Sequence, residues 1–550
     1  MEIAVESSSD TVNCEGADRY SGLCAGGNNT ARGGTDIPGG VGAMCSSTRD
    51  SRLGVPSRDT DRNVRATETG TRHTRAESHL RRSLGLVTVA WVFGSVWVTA
   101  TAGAPLTLYA QSLHASEFQF GLLSALPFIA SLISMPASAL IERTGKRKAI
   151  FIWGSYLNRV LWIPIALVPL WLVSHARASY SAAMAIFLIL MFAMHSGGAI
   201  GGPAWTSWMA DLVPDRVRGR YFSRRREWGI LSAIPAALLA GWMLDRLHPS
   251  APGANPLVTM QWCAIIFLWA CAFGITDIHL FHYIEDHAAP EPKRESILKL
   301  FLRPLSDRQF LWFAGFVATL VFAVSFMGQF VTLYMIDKLR ITNTQTQLML
   351  LVAPMIAQLL VLSAWGRAAD RMGKKPVLAI ASLGLVPVGL GWCLVSSDHI
   401  WLGYVLSALG AALWVGVEVA NLNVVLEMAG DEGGSNYVAV NSVIINVAGC
   451  LGGLSSGLIA QQLRNWHCDL SVIGLRDVTF YELLFALSGV LRLIAAVAFL
   501  PMIHEPTARP TREALRFMTS NIYNNLFNGI LMPLRVLRLR AKESYAADRT

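Results

Sequence analysis

The sequence predicts an all-α integral membrane protein of about twelve transmembrane helices. Three observations predict it. Hydrophobic residues make up 53% of the 550 positions and charged ones 15%, against about 25% charged in soluble domains, and mean hydropathy is +0.42. The apolar residues come in runs of roughly 18 or more, long enough to cross a ~30 Å hydrocarbon core as helix. The basic residues gather in alternate connections between those runs, where they set topology. They account for the net charge of +9 without nucleic acid as a partner.

In chain order, residues 1–82 form a polar tail rich in Gly, Ser, Thr, Asp and Arg. It is too poor in apolar residues to bury a core, and disorder is expected up to Leu80. Its start, MEIAVESSSD, has neither a basic nor an apolar region of a signal peptide, so the first apolar run is expected to act as the insertion signal. Six runs follow within 83–282, at 84–111, 118–141, 149–174, 180–210, 227–247 and 257–282. The polar connector 283–309 separates them from six more within 310–503, at 310–336, 345–366, 376–396, 399–426, 437–463 and 479–502. No C-x-x-C pair occurs, and Cys263, Cys271, Cys393 and Cys450, inside the runs, read as small buried hydrophobes. Residues 504–550 form a second tail. Its segment 511–535 carries Leu515, Met518, Ile522, Leu526 and Ile530 at helical spacing, and it is expected to lie along a membrane surface.

Basic clusters follow spans 2, 4 and 8 and fill the central connector. The other connections are poorer, although EMAGDEGGSN after span 10 is acidic. Both termini are therefore expected in the cytoplasm, in a multi-pass protein of the cell (inner) membrane.

One cluster repeats. GRAADRMGKK, from Gly366, places Asp370, Arg371, Gly373, Lys374 and Lys375 at fixed offsets. SALIERTGKR, from Ser138, places Glu142, Arg143, Gly145, Lys146 and Arg147 at the same offsets. Each copy is the second-to-third connection of its half. A small residue lets a neighbouring helix approach, the acid can face a helix N-terminus, and Gly permits the tight reversal. A second pair supports the repeat. ADLVPDRVRGRYF after span 4 holds Asp211, Pro214, Arg218, Gly219 and Tyr221, while LEMAGDEGGSNYV after span 10 aligns Glu427 with Asp211 and Tyr437 with Tyr221.

These paired elements resemble the signatures of the major facilitator superfamily, G-x-L-x-D-R-x-G-R-K and D-x-x-P-x-x-x-R-G. The resemblance covers about residues 84–503, with Ser138 and Glu142 departing from the usual Gly and Asp. It implies two six-helix bundles that rock about a substrate site near the midplane. Spans 1, 4, 7 and 10 would line the cavity, spans 3, 6, 9 and 12 would be peripheral, and the signature residues named above would act as gates.

Polar groups inside the bilayer are costly and so become candidates for function. Glu418, in span 10, could take up and release a proton during transport, or serve as a structural carboxylate paired with an arginine. Asn421 lies near the same helical face. His195, in span 4, could bind solute or relay protons, or be an interhelical histidine. Gln329, Gln358, Asn441 and Asn446 could hydrogen-bond solute or join helices. Arg159 and Arg492 fall in spans 3 and 12, where internal pairing or snorkelling is expected. Trp91, Trp97 and Trp414 could stack on a ring or sugar, or pack.

The function expected is alternating-access transport of a small solute, with protons as the coupling ion, by a monomer that has no cofactor or bound metal. A non-transporting scaffold or a membrane-bound enzyme on the same fold is the alternative. No G-x-x-x-x-G-K-[ST] loop indicates an ATP-driven pump, and no H-E-x-x-H or H-x-x-E-H helix indicates a zinc protease.

Overall fold

The computed structural model describes residues 58–176, 178–246, 255–286, 304–470, 475–505 and 508–520. Within them twelve helices are long and apolar enough to cross a membrane. In the first half, span 1 is His79–Ala100, span 2 Glu117–Thr144, span 3 Arg147–Ser174, span 4 Tyr180–Leu212, span 5 Val217–Arg246 and span 6 Pro256–Tyr283. In the second, span 7 is Arg308–Asp337, span 8 Asn343–Met372, span 9 Lys374–Leu394, span 10 Ser397–Met428, span 11 Asn436–Gln462 and span 12 Phe480–Met502. The arrangement is a two-bundle one. The repeated basic clusters collect at one end of it, the basic end; the opposite end is the far end.

Local chemistry sets where spans start. Ser116 and Gln119 form a capping box ahead of span 2, as Thr342 and Gln345 do for span 8 and Thr479 and Glu482 for span 12. Asp307 accepts from the amides of Gln309 and Phe310 at the head of span 7. Each cap satisfies N–H groups that have no partner within the helix.

Three elements differ from expectation. Helical backbone begins at Arg58, inside the tail expected to be disordered up to Leu80. Residues 58–80 have no proline and one glycine, and extending a helix already nucleated is far easier than starting one. Span 5 belongs to a helix that starts at Asp215, well before the expected 227, because its arginine-rich first turns remain helical. Helical backbone also runs from Ile400 to Gln462, through the connection read as an acidic loop. The chain nevertheless reverses inside it: Asn441 Nδ2 donates to Asn421 Oδ1 at 3.3 Å, whereas a straight helix would separate them by about 30 Å. A short antiparallel hairpin, Cys468–Leu470 with Leu475–Val478, lies between spans 11 and 12.

Two spans are interrupted at the far end. Span 1 ends at Ala100 and resumes as Ala104–Ser112 beyond Gly103, whose φ of 72° suits glycine. Span 7 breaks between Ser325 and Phe330. Span 8 contains a π-helical turn at Leu348–Val352 and span 12 one at Ala495–Phe499.

Burial is uneven along the membrane axis. One buried cluster runs through both halves and includes Tyr109, Phe187, Phe267, Phe330, Tyr334, Trp392 and Phe485. The fully buried members of the other, among them Phe310, Phe316, Trp365 and Val425, all lie in the second half. Among the spans, Cys263 and Cys271 are buried, Cys393 and Cys450 half-buried, and all four are free thiols. The helix Thr511–Ser520 turns Phe517 and Met518 to the second cluster and leaves Leu515 exposed. Residues 521–535 lie outside the described residues.

Candidate functional site

The two halves meet most closely at the far end. Gly121 of span 2 packs on Gly453 and Gly457 of span 11 so tightly that a Cβ on it would lie 2.4 Å from Gly457 Cα. Asp245, closing span 5, accepts from the Asn343 and Thr344 amides (2.7 and 2.8 Å) and from Thr344 Oγ1 (2.6 Å) at the head of span 8. Gln347 joins the break after span 1, accepting from Ala104 N and donating to Ala102 O, both at 3.3 Å. Glu117 pairs with Arg464 at 3.1 Å. Gln329, at the break in span 7, receives Thr107 Oγ1 at 3.4 Å and donates its amide to Ser124 Oγ at 3.0 Å. Gln329 is therefore engaged in this closure.

Deeper, toward the basic end, three polar side chains converge from both halves. Arg226 Nη2 of span 5 donates to Gln358 Oε1 of span 8 at 3.0 Å. Arg226 also lies within electrostatic reach of Glu418. Glu418 accepts from Trp414 Nε1 at 2.8 Å, so this indole is committed to the carboxylate. Glu418, Gln358 and Arg226 are all half-buried. Glu418 stands ten positions before Met428, the end of span 10, or roughly 15 Å of helix. A carboxylate and a guanidinium at that depth form a unit whose net charge changes with one proton.

The other candidates lie apart from this unit. Asn421 bonds to Asn441 and joins spans 10 and 11. The Asn446 and His195 side chains are half-buried and make no hydrogen bond among the described residues. Next to His195, Met194 O accepts from Asn158 Nδ2 at 2.7 Å, and Gly197 and Gly201 pack on Gly154 and Asn158 of span 3.

Two of the three candidate tryptophans, Trp91 and Trp97, have a face covered by a guanidinium. The Arg225 guanidinium sits 4.2 Å from the Trp91 ring centre and 4.8 Å from that of Trp205. The Arg159 guanidinium sits 3.6 Å from that of Trp97. These cation–π contacts take faces that a solute ring would need. Arg159 also pairs with buried Asp277 at 3.1 Å. Arg492, 3% exposed, donates to Leu385 O at 2.9 Å and contacts Met327 Sδ, with no carboxylate beside it among the described residues.

At the basic end the repeated signatures form matched clusters. Arg147, 2% exposed, pairs with Asp211, and its Nε lies 3.7 Å from Asp286. In the second half Lys374 pairs with Glu427 at 2.7 Å, and Glu505 accepts from the Lys374 and Lys375 amides at 3.0 and 2.6 Å. Tyr221 Oη donates to Leu84 O at the start of span 1, as Tyr437 Oη does to Asp307 at the head of span 7. Arg218 closes the end of span 4 by donating to Ala210 O and Val213 O. Gly145 takes the left-handed turn at φ 65° and Gly373 turns at φ 97°. Ser138 bonds back to Ser134 O, and nothing packs within 4 Å of a Cβ placed on Gly366. Pro214, Glu142, Arg143, Lys146, Asp370 and Arg371 are exposed, with Arg371 5.7 Å from the Phe517 ring centre. Gly219 lies in the arginine-rich first turns of the span 5 helix. The acid facing a helix N-terminus is thus Glu505, not the Asp370 expected, because Asp370 precedes the turn and remains in solvent.

Sequence reasoning missed Arg226, Asp245, Asp286 and Glu505. Arg226 lies in the basic cluster after span 4, which the sequence presents as a connection. For the last two a signal exists: Ile284-Glu285-Asp286 and Ile503-His504-Glu505 end the two halves alike. Among the described residues no cluster of His, Cys, Asp and Glu could hold a metal ion.

Comparison with known proteins adds the family. The model of the Major Facilitator Superfamily matches residues 86–454 and again 311–539. No curated protein matches the chain. Among solved structures, the fold is similar to a mutant form of the nucleoside transporter NupG, with TM-score 0.56 and 13% identity, over 77% of this chain and 100% of that one. It is similar to a bacterial homologue of the human lysosomal transporter Spinster in an inward-facing, unoccupied conformation, with TM-score 0.57 and 14% identity, over 80% and 98%. It is also similar to a D-xylose-proton symporter, with TM-score 0.53 and 14% identity, over 78% and 98%.

Proposed function

The chain belongs to the major facilitator superfamily, and from that premise we propose that it is a secondary active transporter of a small solute, coupled to protons through Glu418. The observation that carries this reading is the meeting of Arg226, Gln358 and Glu418 inside the membrane, with partners drawn from both halves. Ionised Glu418 attracts Arg226 across the boundary. A proton on Glu418 removes that attraction and leaves Arg226 held by Gln358 alone. Alternating access then exchanges the far-end closure for one at the basic end. His195 and Asn446, without internal partners among the described residues, are the further polar groups offered to solute.

The basic connections support a cytoplasmic location for the basic end and both termini. The far-end closure then corresponds to an inward-facing state, as named for the Spinster homologue. The D-xylose symporter is a protein of the same fold whose name states proton coupling, and proton coupling is what Glu418 is read to supply here. The chain acts as a carrier, chemistry on the solute forming no part of its cycle.

The test is uptake of a small-solute library into proteoliposomes, with and without a proton gradient. Wild type should show gradient-driven uptake. Glu418→Gln should lose the gradient dependence and retain solute exchange, and Arg226→Gln should weaken both. Uptake independent of the gradient and unchanged by Glu418→Gln would make the protein a facilitator and Glu418 structural.

A further inference from the structure

Spans 3 and 6 border an open, shallow cleft of about 350 Å³ on the outer surface at the basic end. Its walls are Lys146, Lys148, Ile152 and Trp153 from the start of span 3, and His282 and Asp286 from the exit of span 6. Trp153 is 76% exposed. It lies six positions beyond Arg147, the first residue of span 3, or roughly 9 Å into the membrane, the depth at which tryptophan concentrates between headgroups and chains. The Lys146 ammonium is exposed and makes no hydrogen bond or ion pair among the described residues. Lys148 Nζ donates to Ile284 O at 2.5 Å and His282 O at 3.3 Å, and these bonds fix its ammonium at the cleft. The one carboxylate in the wall, Asp286, has the Arg147 guanidinium beside it at 3.7 Å. The site thus offers two lysines, an imidazole and a shielded acid above an apolar, aromatic wall.

The corresponding cleft in the second half differs. It measures about 150 Å³ and is lined by Lys375, Glu427, His504 and Glu505, with no tryptophan, tyrosine or phenylalanine. Two carboxylates there oppose an anion.

We propose that the cleft between spans 3 and 6 binds the phosphate headgroup of an anionic phospholipid from the surrounding leaflet. Lys146, Lys148 and His282 hold the phosphate, and Trp153 and Ile152 lie along the first methylenes of the chains. Basic pockets between helices at a membrane interface select anionic lipids in this way. A freely diffusing phosphate offers the same charge but nothing for Trp153 to cover.

The experiment is native mass spectrometry of the full chain, titrated with phosphatidylglycerol, phosphatidylcholine or glycerol 3-phosphate. Wild type should retain one phosphatidylglycerol in preference to phosphatidylcholine. The Lys146→Gln/Lys148→Gln double variant should weaken that retention by about fivefold per lysine. His282→Ala, outside the signature turn, should weaken it too, and Lys375→Gln in the opposite cleft should not. Trp153→Ala should reduce lipid retention while leaving any binding of glycerol 3-phosphate unchanged. Equal retention of the two lipids, or an unchanged count in the lysine double variant and in His282→Ala, would overturn the proposal. Saturable binding of glycerol 3-phosphate as tight as that of the lipid would overturn the lipid as the source.

Discussion

Arg226 of span 5 reaches across the boundary between the halves and gives Gln358 of span 8 a hydrogen bond of 3.0 Å. Nearer the far end, the same two spans meet again where Asp245 receives the first amides of span 8. Spans 5 and 8 are therefore fastened twice, once by a guanidinium from the first half and once by a carboxylate from it. Any rocking that opens the far end must release Asp245.

Asp245→Ala should favour the far-end-open state. Loss of a helix cap costs about 0.5–2 kcal/mol, here charged only to the closed state, which corresponds to a shift of roughly 5- to 30-fold for 1–2 kcal/mol. Thr107 is fully buried beside Gln329 in the closed form. A cysteine at position 107 should react with a membrane-impermeant maleimide faster by about that factor in the Asp245→Ala background. An unchanged rate would show that Asp245 does not hold the closure.

Gly121→Ala should act in the same direction by steric means. The added Cβ would lie 2.4 Å from Gly457 Cα and 2.6 Å from Gly453 O, both backbone atoms that cannot rotate away. Spin labels at the far ends of spans 2 and 11 should report a longer mean distance. Gly202→Ala, where a Cβ meets nothing within 4 Å, should leave that distance unaltered.

Asp277→Asn should destabilise the first half rather than alter gating. Asp277 is 4% exposed and pairs with Arg159, itself stacked on Trp97. Removing one partner of a buried pair costs about 3–5 kcal/mol, because the other charge stays behind. The thermal midpoint should fall sharply, and Arg159→Leu/Asp277→Leu should recover part of the loss. A double variant no more stable than the single would contradict this account.

Glu505→Gln should loosen the second tail. The carboxylate accepts two amides at the head of span 9, bonds made stronger by its charge. Limited proteolysis beyond residue 505 should accelerate, while cleavage of the central connector keeps its wild-type rate.

The spans were legible because a run long enough to cross hydrocarbon leaves the chain little choice but helix. The paired signatures were legible because the two halves repeat them at fixed offsets. Rotational phase was not. Arg225 and Arg226 are neighbours in sequence, yet helical geometry sends one to Trp91 and Trp205 and the other to Gln358. In a span apolar on every side no periodicity marks which face meets lipid and which meets the other half. Asp245 was hidden for a different reason. An acid at the end of a span resembles any loop carboxylate until the helix it caps, about a hundred residues onward, is placed against it.

The Asp245 cap also makes two amides into a clock. Thr342 and Gln345 close their own capping box at the head of span 8, so when the halves part that turn keeps its shape while the Asn343 and Thr344 N–H groups lose their acceptor. Those two hydrogens then exchange with heavy water only during far-end openings. Their deuterium uptake counts the excursions of a resting, substrate-free molecule.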